Sequence, residues 1–374
     1  MKQTISLSVP ASEAPTARQS MLSRLAPLAA VLLALAPAAW AGQQLDTDPC
    51  AGRSQASCNA LGVTDKPSIA WRNTFSASEG QQVSARLTKM MEVILQAPEL
   101  REPRGMSLHP SMSASPPPAH AEKQHPALIE AFLLAKFITV EDKHATQDKK
   151  TGAWKGTGEG PMLRMRFNDL GAFLSITPMD YAKPGQYYTE PPKVGEVGGF
   201  PVYKTAGPEV ILIHKRDALP WRPVPVERYL QTLISDEETL HAGFQKQMAS
   251  TQGAGKAELE KANADRQTRI DTMKQQLAQL SPAQRQAGAC NAARRKRGDI
   301  IGLDFNCGPG SEPLVEPNQD YFTRSAPKGS LQVLAISTTW GVLPRNDRMP
   351  NVLGRKLRAS LSEMDLKALQ AMMD

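Results

Sequence analysis

No C-x-x-C pair, no H-E-x-x-H helix signature and no G-x-S-x-G turn occurs anywhere in the chain. Those absences argue against a cysteine-based zinc module, a zinc protease and a nucleophile elbow. Charge of one sign is also lacking: 44 Lys and Arg against 37 Asp and Glu leave +7, too mild a balance to argue for nucleic acid. Long apolar runs are scarce. The longest, Leu25 to Ala41, holds Pro27 and Pro37 and falls short of the ~20 residues a membrane span needs. What is present, 41% apolar and 22% charged residues in 374, excludes a wholly disordered or collagen-like chain. That length suits one large domain or two modest ones with a substantial core.

The apolar run reads as an export signal. Arg24 precedes it, and Ala39-Trp40-Ala41 closes it with small residues in the A-x-A arrangement, so cleavage is expected after Ala41. Residues 1–20 are polar and contain Glu13, a poor signal start, which makes Met21 an alternative first residue. Removing 1–41 takes away Lys2, Arg18, Arg24 and Glu13 and lowers the net charge from +7 to +5 over 333 residues. A periplasmic or secreted location follows as an expectation, and in such a compartment four cysteines read as disulfides. Short loops close at least entropic cost, which favours Cys50–Cys58 and Cys290–Cys307 among three connectivities.

The organisation expected along the mature chain is as follows. Residues 42–104 hold a polar loop and an amphipathic helix starting near Ser78, with Val83, Leu87, Met90, Met91, Ile94 and Leu95 at helical spacing. Seven prolines between Pro98 and Pro126 suggest a mobile linker over 105–126. Residues 127–225 are β-rich. Leu128–Val140 is ambiguous with a strand-like finish, Met162–Phe167 alternates as a half-buried strand does, and Phe200–Lys204 with Glu209–His214 form a hairpin. Val226 to Ser281 contains no proline, and two helical stripes flank Gln252-Gly-Ala-Gly255, so 226–290 reads as an antiparallel helical hairpin. A strand at Leu331–Ser337 and a helix capped by Ser362 complete 291–374. A strand-turn-helix rhythm at Leu163–Leu174 and Leu357–Leu369 hints at a repeated unit. The fold class expected is α+β, with small mixed or antiparallel sheet elements and a long helical hairpin.

Chemistry is thinly signalled. Met106, His109 and Met112, with His120 and His125 nearby, offer thioether and imidazole donors suited to copper or zinc, although a proline-rich linker preorganises no site. His241 lies three and four residues after Glu238 and Glu237, but no second Glu-x-x-His supplies the other half of a di-iron site. Ser325-Ala-Pro-Lys328 and Lys150-Thr-Gly152 mimic signatures of penicillin-recognising enzymes, in the wrong order and with Pro327 opposing the required helix. For a hydrolase, Asp169, Glu209 and Asp304 are candidate acids. The basic stretches Arg294–Arg297 and Arg345–Arg358 are solvated loops or anion contacts.

Trp221-Arg-Pro-Val-Pro-Val-Glu-Arg-Tyr-Leu230 and Leu314-Val-Glu-Pro-Asn-Gln-Asp-Tyr-Phe322 resemble segments of uncharacterised exported proteins of Gram-negative bacteria. The resemblance covers under a tenth of the chain and implies no activity, cofactor or functional residue. The leading expectation is a non-enzymatic exported binding or envelope-associated protein. An envelope protein or polymer would contact its helical hairpin, with no specific nucleic acid, no permanent membrane span and no cofactor. An exported hydrolase with a non-contiguous site, or a weak copper or zinc binder, is the alternative.

Overall fold

Apolar residues at 83, 87, 90, 91 and 94 share one face only on a helical backbone, and a polar cap decides where that helix starts. The computed structural model describes residues 50, 53–71, 74–116, 125–174, 186–292, 307–308, 310–318, 320–323, 325–343 and 352–374. The expected signal peptide over 1–41, His120, Arg294–Arg297 and Asp304 lie outside the described residues.

After α1 (Gln55–Asn59) and β1 (Ser68–Ala70), helix α2 spans Ala77–Leu95. Its cap is Ser76, two residues before the expected start. Glu79 N–H donates to Ser76 Oγ at 3.4 Å and Ser76 N–H donates to the Glu79 carboxylate at 3.1 Å, a reciprocal capping box. Pro98 opens α3 (Pro98–Arg101), where its missing donor costs nothing.

The expected linker is corrected next. Residues Met106–Ser115 are strand β2, paired over ten residues with β3 (Leu128–Phe137), from Met106 opposite Phe137 to Ser115 opposite Leu128. Proline 110 falls between the Thr64 bridge at Leu108 and the Ser111–Ser113 run paired with β1, so its missing N–H interrupts neither. The pattern was visible: Met106, Leu108, Met112 and Ala114 alternate with Ser107, His109, Ser111 and Ser113. Proline density concealed it. Residues 117–124 lie outside the description.

The chain continues through β4 (Thr146–Gln147), β5 (Trp154–Lys155), β6 (Met162–Phe167), α4 (Gly171–Leu174), β7 (Tyr188–Thr189), β8 (Lys193–Val197), β9 (Phe200–Tyr203), β10 (Val210–His214) and β11 (Trp221–Pro223). Helices α5 (Val226–Ser250), α6 (Ala254–Gln279) and α7 (Pro282–Gln286) follow, then β12 (Cys290–Ala292), β13 (Ser311–Pro317), β14 (Val333–Thr338), α8 (Val352–Glu363) and α9 (Leu366–Ala371). Residues 357–363 and 366–369 are helical, with no strand between 357 and 369, so the suggested strand-turn-helix repeat is absent. The last helix is capped by Asp365 rather than Ser362, with Ala368 N–H donating to Asp365 Oδ1 at 2.9 Å.

An eight-stranded sheet runs β1-β2-β3-β6-β14-β10-β9-β8, antiparallel except for β1 against β2. One face carries the principal core: Leu108, Met112, Leu133, Met165, Phe167, Ile336 and Ile211 meet α2, α8 and α9. This core draws from Val83 to Met373. The opposite face is covered over β9, β10 and β14 by Phe173, Trp221, Val315, Tyr321 and Phe322. A smaller sheet of β11, β13 and β12, with β7 also paired to β13, supports that side. The fold is α+β. Disulfides join Cys50 to Cys58 and Cys290 to Cys307, with Cα separations of 5.3 and 5.4 Å. Among the described residues no helix is long and apolar enough to cross a membrane.

Candidate functional site

The strand geometry of β2 disperses the expected metal donors. Successive side chains alternate faces, so Met106 and Met112 enter the core with no exposure while His109 points to the opposite face. His125 packs against Phe322 in a tilted arrangement with ring centroids 4.1 Å apart, and its Nδ1 lies 2.7 Å from the Pro126 carbonyl oxygen. Burial lowers its pKa to about 4, which keeps the ring neutral. Met106, His109, Met112 and His125 are therefore not one ligand set.

What β2 assembles instead is a linear chain of three polar side chains. Ser107 and His109 are two residues apart and so share a face. Ser107 Oγ lies 2.8 Å from His109 Nε2, and His109 Nδ1 lies 2.6 Å from Asp65 Oδ2. Asp65 is held there by backbone, its N–H donating to Leu108 O at 2.9 Å while Leu108 N–H donates to Val63 O. A fourth group closes the cluster, with Gly156 N–H donating to Ser107 Oγ at 2.8 Å. Donor logic then fixes the protons. A carboxylate only accepts, so a neutral imidazole places its proton on Nδ1 toward Asp65 and leaves Nε2 to accept from the serine hydroxyl. Burial lowers the His109 pKa, Asp65 pulls it back up, and Lys136 and Lys155 add to the lowering. Ser107 is fully buried, whereas the His109 and Asp65 side chains retain 21% and 41% of their exposure. Such a chain can polarise a hydroxyl or simply staple three backbone segments together.

Of the carboxylates expected to serve a hydrolase, the two described, Asp169 and Glu209, perform structural work. Asp169 accepts from Gly171 N–H at 2.9 Å, capping α4, and pairs with Arg166 at 3.3 Å. Glu209 is buried beneath the loop after β14, accepting from Leu343 N–H at 3.2 Å. His241 bonds Gln245 one turn along its own helix at 2.8 Å. Neither these groups nor the Ser107 cluster line the groove of ≈ 430 Å³ bounded by Phe173, Tyr187, Tyr188, Glu190, Pro191 and Lys204. Sequence reasoning missed Ser107 and Asp65 because a serine carries no local signature and Asp65 lies 44 positions from its partner.

Helices α5 and α6 present a second candidate surface. Near the body Tyr229, Leu230, Ile234, Ile270 and Met273 pack with Val224, Ala289 and Leu314. Outward of Ile234 and Ile270 the character changes, and among the described residues 235–269 only Asn263 is buried. Glu237 accepts from Arg266 at 2.8 Å and Arg269 at 3.1 Å, Glu238 pairs with Lys274 at 2.6 Å, and Arg266 lies 4.4 Å from the centre of the Phe244 ring. Leu240 stands 49% exposed on this stretch. Compared with family models, curated proteins and solved structures, the chain matches none of them.

Proposed function

We propose that the chain is an exported, disulfide-braced binding or envelope-associated protein, and that α5 and α6 form an antiparallel helical hairpin serving as its partner-binding arm. The observation that carries this reading is the contrast along the helix pair: an apolar base at Ile234 and Ile270, then a distal stretch with almost no core. Each helix is about 38 Å long at 1.5 Å per residue, far more than the base needs to pack. Gly253, at φ +67, supports the reversal between them, a backbone state open to glycine at little cost. The exposed pair Glu238–Lys274 contributes only about 0.5 kcal/mol, and the partly buried Glu237–Arg266–Arg269 group lies within about one helical turn of Ile234 and Ile270, so the stretch beyond adds little stability. A surface that large and that weakly self-stabilising is suited to a partner.

Export rests on the signal-like run before Ala41 and is supported by two disulfides, which persist in oxidising compartments. The decisive experiment is crosslinking of the mature chain in intact envelopes, compared with Leu240→Asp and with residues 238–268 replaced by a short glycine-serine turn. The expected result is one crosslinked species lost in both variants while the melting temperature moves by only about 2 °C. An unchanged crosslink pattern would remove the arm from the reading.

A further inference from the structure

We propose that Ser107, His109 and Asp65 form a covalent acyl-transfer site for esters, a function distinct from the α5–α6 arm. The atoms stand in the order that activates a serine: hydroxyl on Nε2 at 2.8 Å, Nδ1 on a carboxylate at 2.6 Å. Asp65 fixes the tautomer in which Nε2 is free to take a proton, and Ser107 supplies that proton along the existing hydrogen bond. The unit is recognised by the roles of its atoms, since no sequence motif announces it.

The reaction balances without any other cofactor. Ser107 Oγ attacks the ester carbonyl carbon as its proton passes to His109 Nε2. The carbon–oxygen bond of the ester breaks, and the imidazolium returns the proton to the departing alkoxide, releasing the alcohol and leaving an acyl-serine. Water then attacks, giving its proton to Nε2, and Ser107 recovers a proton as the carboxylic acid leaves. The charged groups acting on the imidazole are Asp65 on the segment beside β2, Lys136 on β3 and Lys155 on β5. Lys136 stands directly opposite Ser107 in the sheet register. Two cations against one carboxylate suit an ester whose acyl part carries a negative charge.

Full burial of Ser107 requires a movable cover, and the covering segment is identifiable. The segment Gly156-Thr157-Gly158-Glu159-Gly160 meets the site at Gly156, whose N–H donates to Ser107 Oγ at 2.8 Å, and then runs beside the end of β3, with Thr157 N–H on Phe137 O at 2.9 Å. A Cβ at Gly156 would stand 2.7 Å from Ser107 Oγ and 2.5 Å from Lys136 O, so only glycine lets the strap lie this close. Gly158, at φ +73 with open space around it, gives the strap a hinge.

The test exposes the full mature chain to a fluorophosphonate probe, with intact-mass detection and peptide mapping. An adduct is expected on Ser107, absent in Ser107→Ala and formed at least about 100-fold more slowly in His109→Gln. The labelling rate should rise with one deprotonation whose midpoint lies below that of an ordinary histidine, a profile that a purely structural serine would not show. p-Nitrophenyl hemisuccinate should be cleaved faster than p-nitrophenyl acetate, and both rates should vanish in Ser107→Ala. Thr157→Gly, which loosens the strap without entering the site, should speed labelling. No Ser107 adduct in either the wild-type chain or Thr157→Gly, or an adduct whose rate ignores His109, would overturn the proposal. Deleting the arm should leave labelling unchanged, so the two proposals fail separately.

Discussion

Asn168 shows how one residue can hold a turn together from its interior. It adopts φ +59, a conformation that asparagine tolerates better than most side chains, and it is fully buried directly after β6. Its Nδ2 donates to Ala127 O at 3.0 Å and Ser330 O at 2.8 Å, while its Oδ1 accepts from Gln332 N–H at 2.9 Å and Val333 N–H at 3.3 Å. Replacing it with alanine strands four backbone groups and strains the turn, so Asn168→Ala should cost about 3 kcal/mol, read as a shift in the urea midpoint. A loss under about 1 kcal/mol would show that water replaces those bonds. An Asn-Asp pair directly after a strand is a turn signal, and that much of Asn168 is local. The four partners come from residues 127 and 330–333, which no local pattern connects. The same holds for His109: its residue type is legible locally, but its face follows from a strand that the surrounding prolines conceal.

At the scale of elements, β2 carries the sharpest contrast between pattern and placement. Met112 packs in the principal core and Ser113 faces outward opposite Glu130. Met112→Asp should therefore cost more than about 4 kcal/mol, because a charge would enter an apolar interior. Ser113→Thr should change stability by no more than about 0.5 kcal/mol. Thermal melts of the pair check this, and equal tolerance of both substitutions would restore the linker reading of residues 105–126. Strong periodic segments were legible without help: α2, α5, β6 and the β9–β10 pair stand close to where spacing placed them. The strand pattern of β2 lost to its prolines, and the final helix was capped one turn later than expected because Asp365, not Ser362, reaches a free N–H.

For the whole molecule, acid sensitivity follows from histidines held neutral. His125, His109 and His214 all have pKa values lowered first by burial, with His125 at about 4. A lowered histidine pKa means that the unfolded chain binds protons before the native one does. Stability is then full above the ordinary histidine range and declines as pH falls toward the folded pKa. His125 alone should remove on the order of 3 kcal/mol between about pH 7 and pH 4. His125→Phe, which keeps a ring against Phe322, should flatten this part of the melting-temperature profile. An unaltered profile would place the acid-sensitive group elsewhere. The sequence by itself determined the composition class, the amphipathic helices, the alternating strands and cysteine spacings that allow two short loops, because each depends on neighbours a few residues apart. Only the tertiary structure decided that the proline-rich segment is a strand inside an eight-stranded sheet, and that Asp65, Ser107, His109 and Gly156 meet. Those outcomes depend on sheet register and on backbone approaches between distant segments, and such contacts leave no period in the sequence for a reader to find.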